Sequence, residues 1–157
     1  MSRLAGLVRA IVLGTAIAAV AAVAVADPYE ADPDLATRDD DYAAGKRATE
    51  KQDWAEAVRL FQRAAIRNPD HADLQNILGF SYRNLKQYEL AFKHYRRAIE
   101  LDPRHRGAHE YIGETYLMTG DVAGAERHLA ALREICLLPC EELTDLQRAI
   151  AKYRAGK

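Results

Sequence analysis

The chain has 157 residues, 22 of them basic and 23 acidic, for a formal charge of −1, and 49% of it is hydrophobic. A balance so close to neutral gives no electrostatic basis for nucleic acid or an anionic membrane surface as the main partner. The length suits one folded domain.

In chain order, residues 1–26 come first, with Arg3 and Arg9, no acid, and an apolar run from Ala10 to Val25. Ala24-Val25-Ala26 closes the run with the small-x-small pattern that a signal peptidase recognises, which predicts a signal peptide cut between Ala26 and Asp27. No cysteine follows to be lipidated and no Arg-Arg pair precedes, so the expectation is Sec-type export to a bacterial periplasm. The other reading of the run is an uncleaved anchor, its length being close to a bilayer span. Membrane contact is expected only in that case. Loss of Arg3 and Arg9 with the signal takes the charge from −1 to −3. Asp27 to Asp41 carries seven acids against one arginine and has little to bury, so residues 27–37 are expected to be an acidic, disordered lead-in.

From residue 38 the chain repeats. Pro69 and Pro103 are 34 residues apart, and at that period Gly45, Gly79 and Gly113 align, as do Ala48, Tyr82 and Tyr116. Trp54, Tyr88 and Val122 align next, then Ala57, Ala91 and Ala125, then Phe61, Tyr95 and Leu129, then Ala64, Ala98 and Leu132. Small residues allow two antiparallel helices to approach closely, and large apolar residues at i, i+3, i+4 spacings fill the space between helix pairs. Proline after Asn68 and Asp102 ends a unit, because the residue before proline is pushed out of α geometry. The spacing predicts helices over 38–51, 54–67, 72–84, 88–101, 106–119 and 122–135. Residues 140–154 should add a capping helix, with Leu143, Leu146, Ala149, Ile150 and Tyr153 on one face, Glu141 and Glu142 in the first turn, and Lys152 and Arg154 near the end.

These columns resemble the tetratricopeptide repeat, a helix-turn-helix unit of 34 residues. The resemblance implies an all-α solenoid of three repeats, 38–71, 72–105 and 106–139, wound as a right-handed superhelix and closed by the capping helix, within a domain of residues 38–157. A terminal repeat needs such a cover, because a single unit cannot bury its own apolar face. The look of small bacterial periplasmic proteins of this family, with a cysteine-bearing tail, covers residues 42–154.

The only cysteines, Cys136 and Cys140, lie four apart with Pro139 between them. A proline-broken corner lets their α-carbons come within the roughly 6 Å that a disulfide prefers. The expected bridge would pin the cap. The sharper alternative is a metal-handling or thiol-redox pair, since Cys140 near a helix N-terminus would be a reactive thiolate if free. The spacing is not C-x-x-C, however, and no His or Met lies in the loop. His105 and His109, four apart, have zinc-like spacing, but His105 shares its column with His71 and is expected simply to meet solvent at the loop. Lys86, Lys93, His94, Arg96, Arg97, Arg104 and Arg106 form a basic cluster that reads as a solvated outer face. No nucleophile-base pair, phosphate loop or metal set stands out; no catalytic activity, cofactor or metal is expected.

In this family the concave groove commonly holds a peptide, lined by positions 2, 5, 9 and 12 of each first helix. By register these are Asp39, Tyr42, Lys46 and Thr49, then Asp73, Asn76, Phe80 and Arg83, then Gly107, Glu110, Glu114 and Leu117. The resemblance makes Tyr42, Phe80 and Leu117 candidate apolar contacts, Lys46, Asn76 and Arg83 candidate bonds to peptide backbone or carboxylate, and Glu110 and Glu114 part of the lining. The carboxylate clamp of chaperone-binding relatives is not supported, because only Lys46 is in a comparable place, with Tyr42, Ile77, Gly107 and Tyr111 elsewhere. The functional expectation is a non-catalytic adaptor, monomeric or weakly self-associating, that binds a protein or peptide partner. A metal-handling or thiol-redox protein using Cys136 and Cys140 is the alternative.

Overall fold

The structure, a computed structural model, describes residues 33–156. The signal segment 1–26 and residues 27–32 of the lead-in lie outside the described residues. Among the described residues eight helices follow one another: α1 Pro33–Arg38, α2 Asp40–Glu50, α3 Trp54–Arg67, α4 Ala72–Asn84, α5 Tyr88–Leu101, α6 Arg106–Met118, α7 Val122–Ile135 and α8 Glu141–Ala155. Among the described residues no helix is long and apolar enough to cross a membrane.

The starts of the helices are written locally. Asp39, Asp53 and Asp121 accept backbone N–H groups at the first turns of α2, α3 and α7, and His71 and His105 do the same through a ring nitrogen for α4 and α6. Helices α2 and α3, α4 and α5, and α6 and α7 pair as antiparallel units. The turns within the pairs share one backbone solution at the 34-residue period, a left-handed residue at Gln52, Lys86 and Gly120. Only the third of these is a glycine, so the period was visible in the sequence at that position and hidden at the other two.

The aligned glycines are contact points. A β-carbon on Gly45 would stand 2.5 Å from the Phe61 ring, and one on Gly79 would stand 2.7 Å from that of Tyr95. Both rings are fully buried. In the third repeat the helix over Gly113 is α8, and its Leu146 would meet the added carbon at 2.7 Å. The capping helix therefore takes over the place held by the large side chain of the second helix in the first two repeats.

The core forms two clusters. One runs from Leu35 through Phe61, Leu78 and Tyr95 to Ile112; the other joins Leu117, Leu129 and Leu132 to Leu146 and Ile150 of α8, and Tyr116 packs on both. Leu146 and Ile150, nearly fully covered, contribute on the order of 1.5–3 kcal/mol each by leaving water. Cys136 and Cys140 are bridged across the corner between α7 and α8, with α-carbons 6.0 Å apart. The bridge leaves Leu137 and Leu138 pointing outward, 90% and 80% exposed.

Three expectations change. The lead-in does not stay irregular to residue 37, because α1 forms at Pro33–Arg38 and drops Leu35 into the first core cluster. Leu117 is not a solvent-facing anchor; α8 covers it and leaves it 7% exposed. His105 does not meet solvent, being buried as the cap of α6 with Nε2 3.1 Å from Asp73 Oδ1.

Candidate functional site

The first helices of the repeats, α2, α4 and α6, share one side of the stack, and between them lies a cavity of about 300 Å³. Tyr42, Lys46, Thr49, Asp73, Asn76, Ile77, Phe80, His105 and Tyr111 line it. Six of the twelve residues placed in the groove by register, Tyr42, Lys46, Thr49, Asp73, Asn76 and Phe80, are brought together here. Tyr42 is a wall, its ring buried between Phe61 and His71. Phe80 is half-buried, edge-on to Trp54 at 5.6 Å and tilted against Tyr111 at 5.1 Å, so its packing reason lies within the groove itself. Asp39, at another lining position by register, turns away. Its carboxylate accepts from Arg67 and Asn68 and from the first turn of α2, and the Arg67 hydrogen bond leads in holding it below the usual aspartate range.

Arg83 and Glu114 pair across the groove from α4 to α6. The Arg83 guanidinium also lies over two rings, 4.9 Å from the centre of Phe80 and 5.1 Å from that of Tyr111. This pair forms the wall between the aromatic cavity and the end of the groove nearest the cap. Beyond it Glu110 is 8% exposed and is pushed up to about 8, first by burial and then by Glu114, Asp145 and Glu142. Leu117 with Glu114 borders a second cavity of about 460 Å³, against Met118, Ala149, Lys152 and Tyr153 at the junction of α6 and α8.

Among the buried polar atoms without a hydrogen-bond partner, one of those that lie at the groove cavity is on Asn76. The Oδ1 of Asn76 is buried without a hydrogen-bond donor, in a side chain 8% exposed. A buried acceptor left this way costs about 1–3 kcal/mol, so it is commonly reserved for a group that arrives later. The outer face is different: Arg97 pairs with Asp70 at 2.5 Å and with Glu100, Arg104 donates to the Ile135 carbonyl, and His94 is tucked against Gln75. The basic cluster of the sequence is thus largely engaged by neighbours within the chain.

Register reasoning missed Ile77, His105 and Tyr111 as cavity residues. Tyr111 has a signal in retrospect: it follows Glu110 on α6 and faces back toward Phe80 and Tyr95 of the preceding repeat. His105 had none, since the same column holds the half-exposed His71.

A stack of helix pairs with small residues at the crossings and a lined concave groove defines an α-solenoid interaction module. The tetratricopeptide repeat family matches over residues 42–105 and 81–136, and the chain belongs to that family. Among curated proteins it is similar to the TPR repeat-containing thioredoxin TTL4 of Arabidopsis thaliana, 29% identical over 67% of this chain and 15% of that protein. It is also similar to the human protein O-mannosyl-transferase TMTC3, 36% identical over 41% of this chain and 7% of that protein. The chain thus spans a small fraction of the length of these relatives.

Solved structures agree on the fold. The Sgt2 TPR domain of Aspergillus fumigatus superposes with a TM-score of 0.67 at 17% identity, over 79% of each chain. The Yersinia enterocolitica type III secretion translocator chaperone SycD gives 0.66 at 19% identity, over 81% of this chain and 94% of that one. A CopN-Scc3 complex contains a chain with a TM-score of 0.63 at 22% identity, over 85% of this chain and 79% of that one.

Proposed function

We propose that this protein is a small exported adaptor of the bacterial periplasm that holds one segment of a partner polypeptide in the groove of α2, α4 and α6 and has no catalysis of its own. The observation that carries the reading is the cavity of about 300 Å³, walled by Tyr42, Phe80 and Tyr111, with Asn76 Oδ1 buried in it and lacking a donor. An extended peptide matches that chemistry. Its side chains fill an aromatic slot while its backbone N–H groups supply the missing donor. The family supports the class, and the likeness in fold to the translocator chaperone SycD and to a chain of the CopN-Scc3 complex supports a polypeptide ligand. Export rests on the composition of residues 1–26 alone.

The metal or thiol-redox alternative has less to stand on. Cys136 and Cys140 are bridged, and among the described residues no group of three or more His, Cys, Asp or Glu is arranged to hold a metal ion.

The test is crosslinked capture from periplasm with the wild-type protein beside a Lys46→Glu, Phe80→Ala variant with an unchanged circular dichroism spectrum. A partner held by wild type and lost from the variant is the expected result. Equal capture by both would place binding elsewhere, and labelling of both cysteines without reductant would revive the thiol reading.

A further inference from the structure

At the end of the groove nearest the cap four acidic residues gather and only three of them have a cation beside them. Glu110 of α6 faces Glu114 on its own helix, Glu142 and Asp145 on α8, and Arg83 and the Tyr111 phenol on the side toward the cavity. Three of these four carboxylates have a cation of their own: Arg83 pairs with Glu114, Arg106 stands 3.8 Å from Glu142, and Arg148 stands 2.7 Å from Asp145. Glu110 has none. It is 8% exposed, and among the described residues it makes no hydrogen bond and no ion pair.

Removing a carboxylate from water without a partner is among the costlier arrangements a fold can hold. Nothing in the packing of α6 against α8 requires it, because the apolar contacts there are made by Gly113, Leu117, Leu146 and Ile150. A second acceptor independently makes the same demand. Asn76 Oδ1, buried and without a donor, occupies in the second repeat the register position that Glu110 occupies in the third. Along the groove an orphaned acceptor at the wall of the cavity is thus followed by a largely buried carboxyl group with no ion-pair partner.

We infer that the segment bound in the groove carries a lysine or arginine whose cationic head enters the end between α6 and α8 and pairs with Glu110, while Asn76 accepts from the adjoining peptide backbone. This rests on the groove reading above and specifies its ligand. A basic side chain donates hydrogen bonds and draws Glu110 into its charged form, whereas an acidic one adds a further negative charge beside Glu114, Glu142 and Asp145. Free Glu110 is protonated up to about pH 8, so pairing with a cation displaces its proton and binding should tighten as pH rises through that value.

The test uses four pools of acetylated, amidated heptapeptides, degenerate except for a central Lys, Arg, Leu or Glu, measured by fluorescence polarisation. The Lys and Arg pools should bind roughly tenfold more tightly than the Leu and Glu pools, a gap typical of one desolvated charge pair. Their affinity should rise between pH 6.5 and 8.5, and both the gap and the pH dependence should vanish in Glu110→Gln. The pH profile of the wild type decides the matter even if that variant folds poorly. Binding that depends on Lys46 and Phe80 but shows no preference for a basic centre would overturn this inference and leave the groove reading standing. Failure of every pool to bind, with no partner captured from periplasm, would overturn both.

Discussion

His109 and His128 meet Nδ1 to Nδ1 at 3.0 Å, and the Pro103 carbonyl, 3.1 Å from His109 Nε2, fixes which of them donates. A carbonyl only accepts, so the His109 proton sits on Nε2, and its Nδ1 takes the proton of His128 Nδ1. One repeat earlier Gln75 plays the first part: its amide donates to the Pro69 carbonyl at 3.2 Å, and its Oε1 faces His94 Nδ1 at 2.8 Å. His94 stacks on Tyr82 and His128 on Tyr116. The same polar clasp thus ties the proline that opens each of the last two units to the second helix of that unit, and its His109–His128 form cannot hold when both rings are protonated.

Acid should therefore loosen the solenoid. His94 and His128 are held down to about 4, chiefly by burial, and burial also lowers His109, whereas unfolded histidine takes its proton near 6.5. The unfolded chain binds more protons in that window, so stability from these groups rises with pH between about 4 and 6.5 and is complete above it. Glu110 runs the other way. Its folded value is about 8 against 4.5 unfolded, so its contribution falls as pH rises from 4.5 through 8. Thermal melts should show a maximum near pH 6.5 with a shallow fall to pH 8, and Glu110→Gln should remove that fall. A Tm still climbing between pH 6.5 and 8 would contradict this balance.

Gly79→Ala should destabilise the protein despite the better helix former. Alanine gains about 0.5–1 kcal/mol in helix propensity, but its β-carbon would stand 2.7 Å from the buried Tyr95 ring. Overpacking of that kind costs about 1–3 kcal/mol. The unfolding free energy from urea titration should drop by a net of up to about 2 kcal/mol, with a lower midpoint. Gly156→Ala, whose new carbon meets nothing nearer than 3.6 Å, serves as the neutral control.

Lys86→Gly should stabilise. Lys86 is exposed and sits at φ 60°, a left-handed conformation that costs an L residue roughly 1–2 kcal/mol. Glycine returns about 0.5–1 kcal/mol of that through the greater freedom of the unfolded chain, leaving a small net gain. The mirror change, Gly120→Ala at φ 88°, should lower the urea midpoint.

Reduction of the Cys136–Cys140 bridge should cost about 2 kcal/mol, the loop being short. The loss should be local. Amide exchange should accelerate in α8 and the adjoining end of α7 while α2 to α5 keep their protection. Uniform acceleration through all the helices would show that the bridge does more than pin the cap.

Much of this architecture was legible because it repeats. The column of Gly45, Gly79 and Gly113 gave the helix crossings, the prolines gave the unit boundaries, and the spacing gave helix starts within two residues of those observed. What escaped depends on neighbours that a register position does not name. Leu117 points where the register says, but α8 lies over that place, so an apparent anchor became core. Glu110 could be assigned to the groove, yet its burial arises only when the acidic first turns of α8 come to rest beside it. Leu35 formed a helix because it had a core to enter, which the acidic composition around it concealed.

The groove itself is tested most directly by mapping amide chemical shifts while the lysine-centred heptapeptide pool is added to the labelled protein. Binding in the groove predicts shifts concentrated on Lys46, Asn76, Phe80, Glu110 and Tyr111, with α3, α5 and α7 largely still. Shifts clustered instead on the outer helices, or around the exposed Leu137 and Leu138, would contradict the account and move the binding surface to the other side of the solenoid or to its bridged corner.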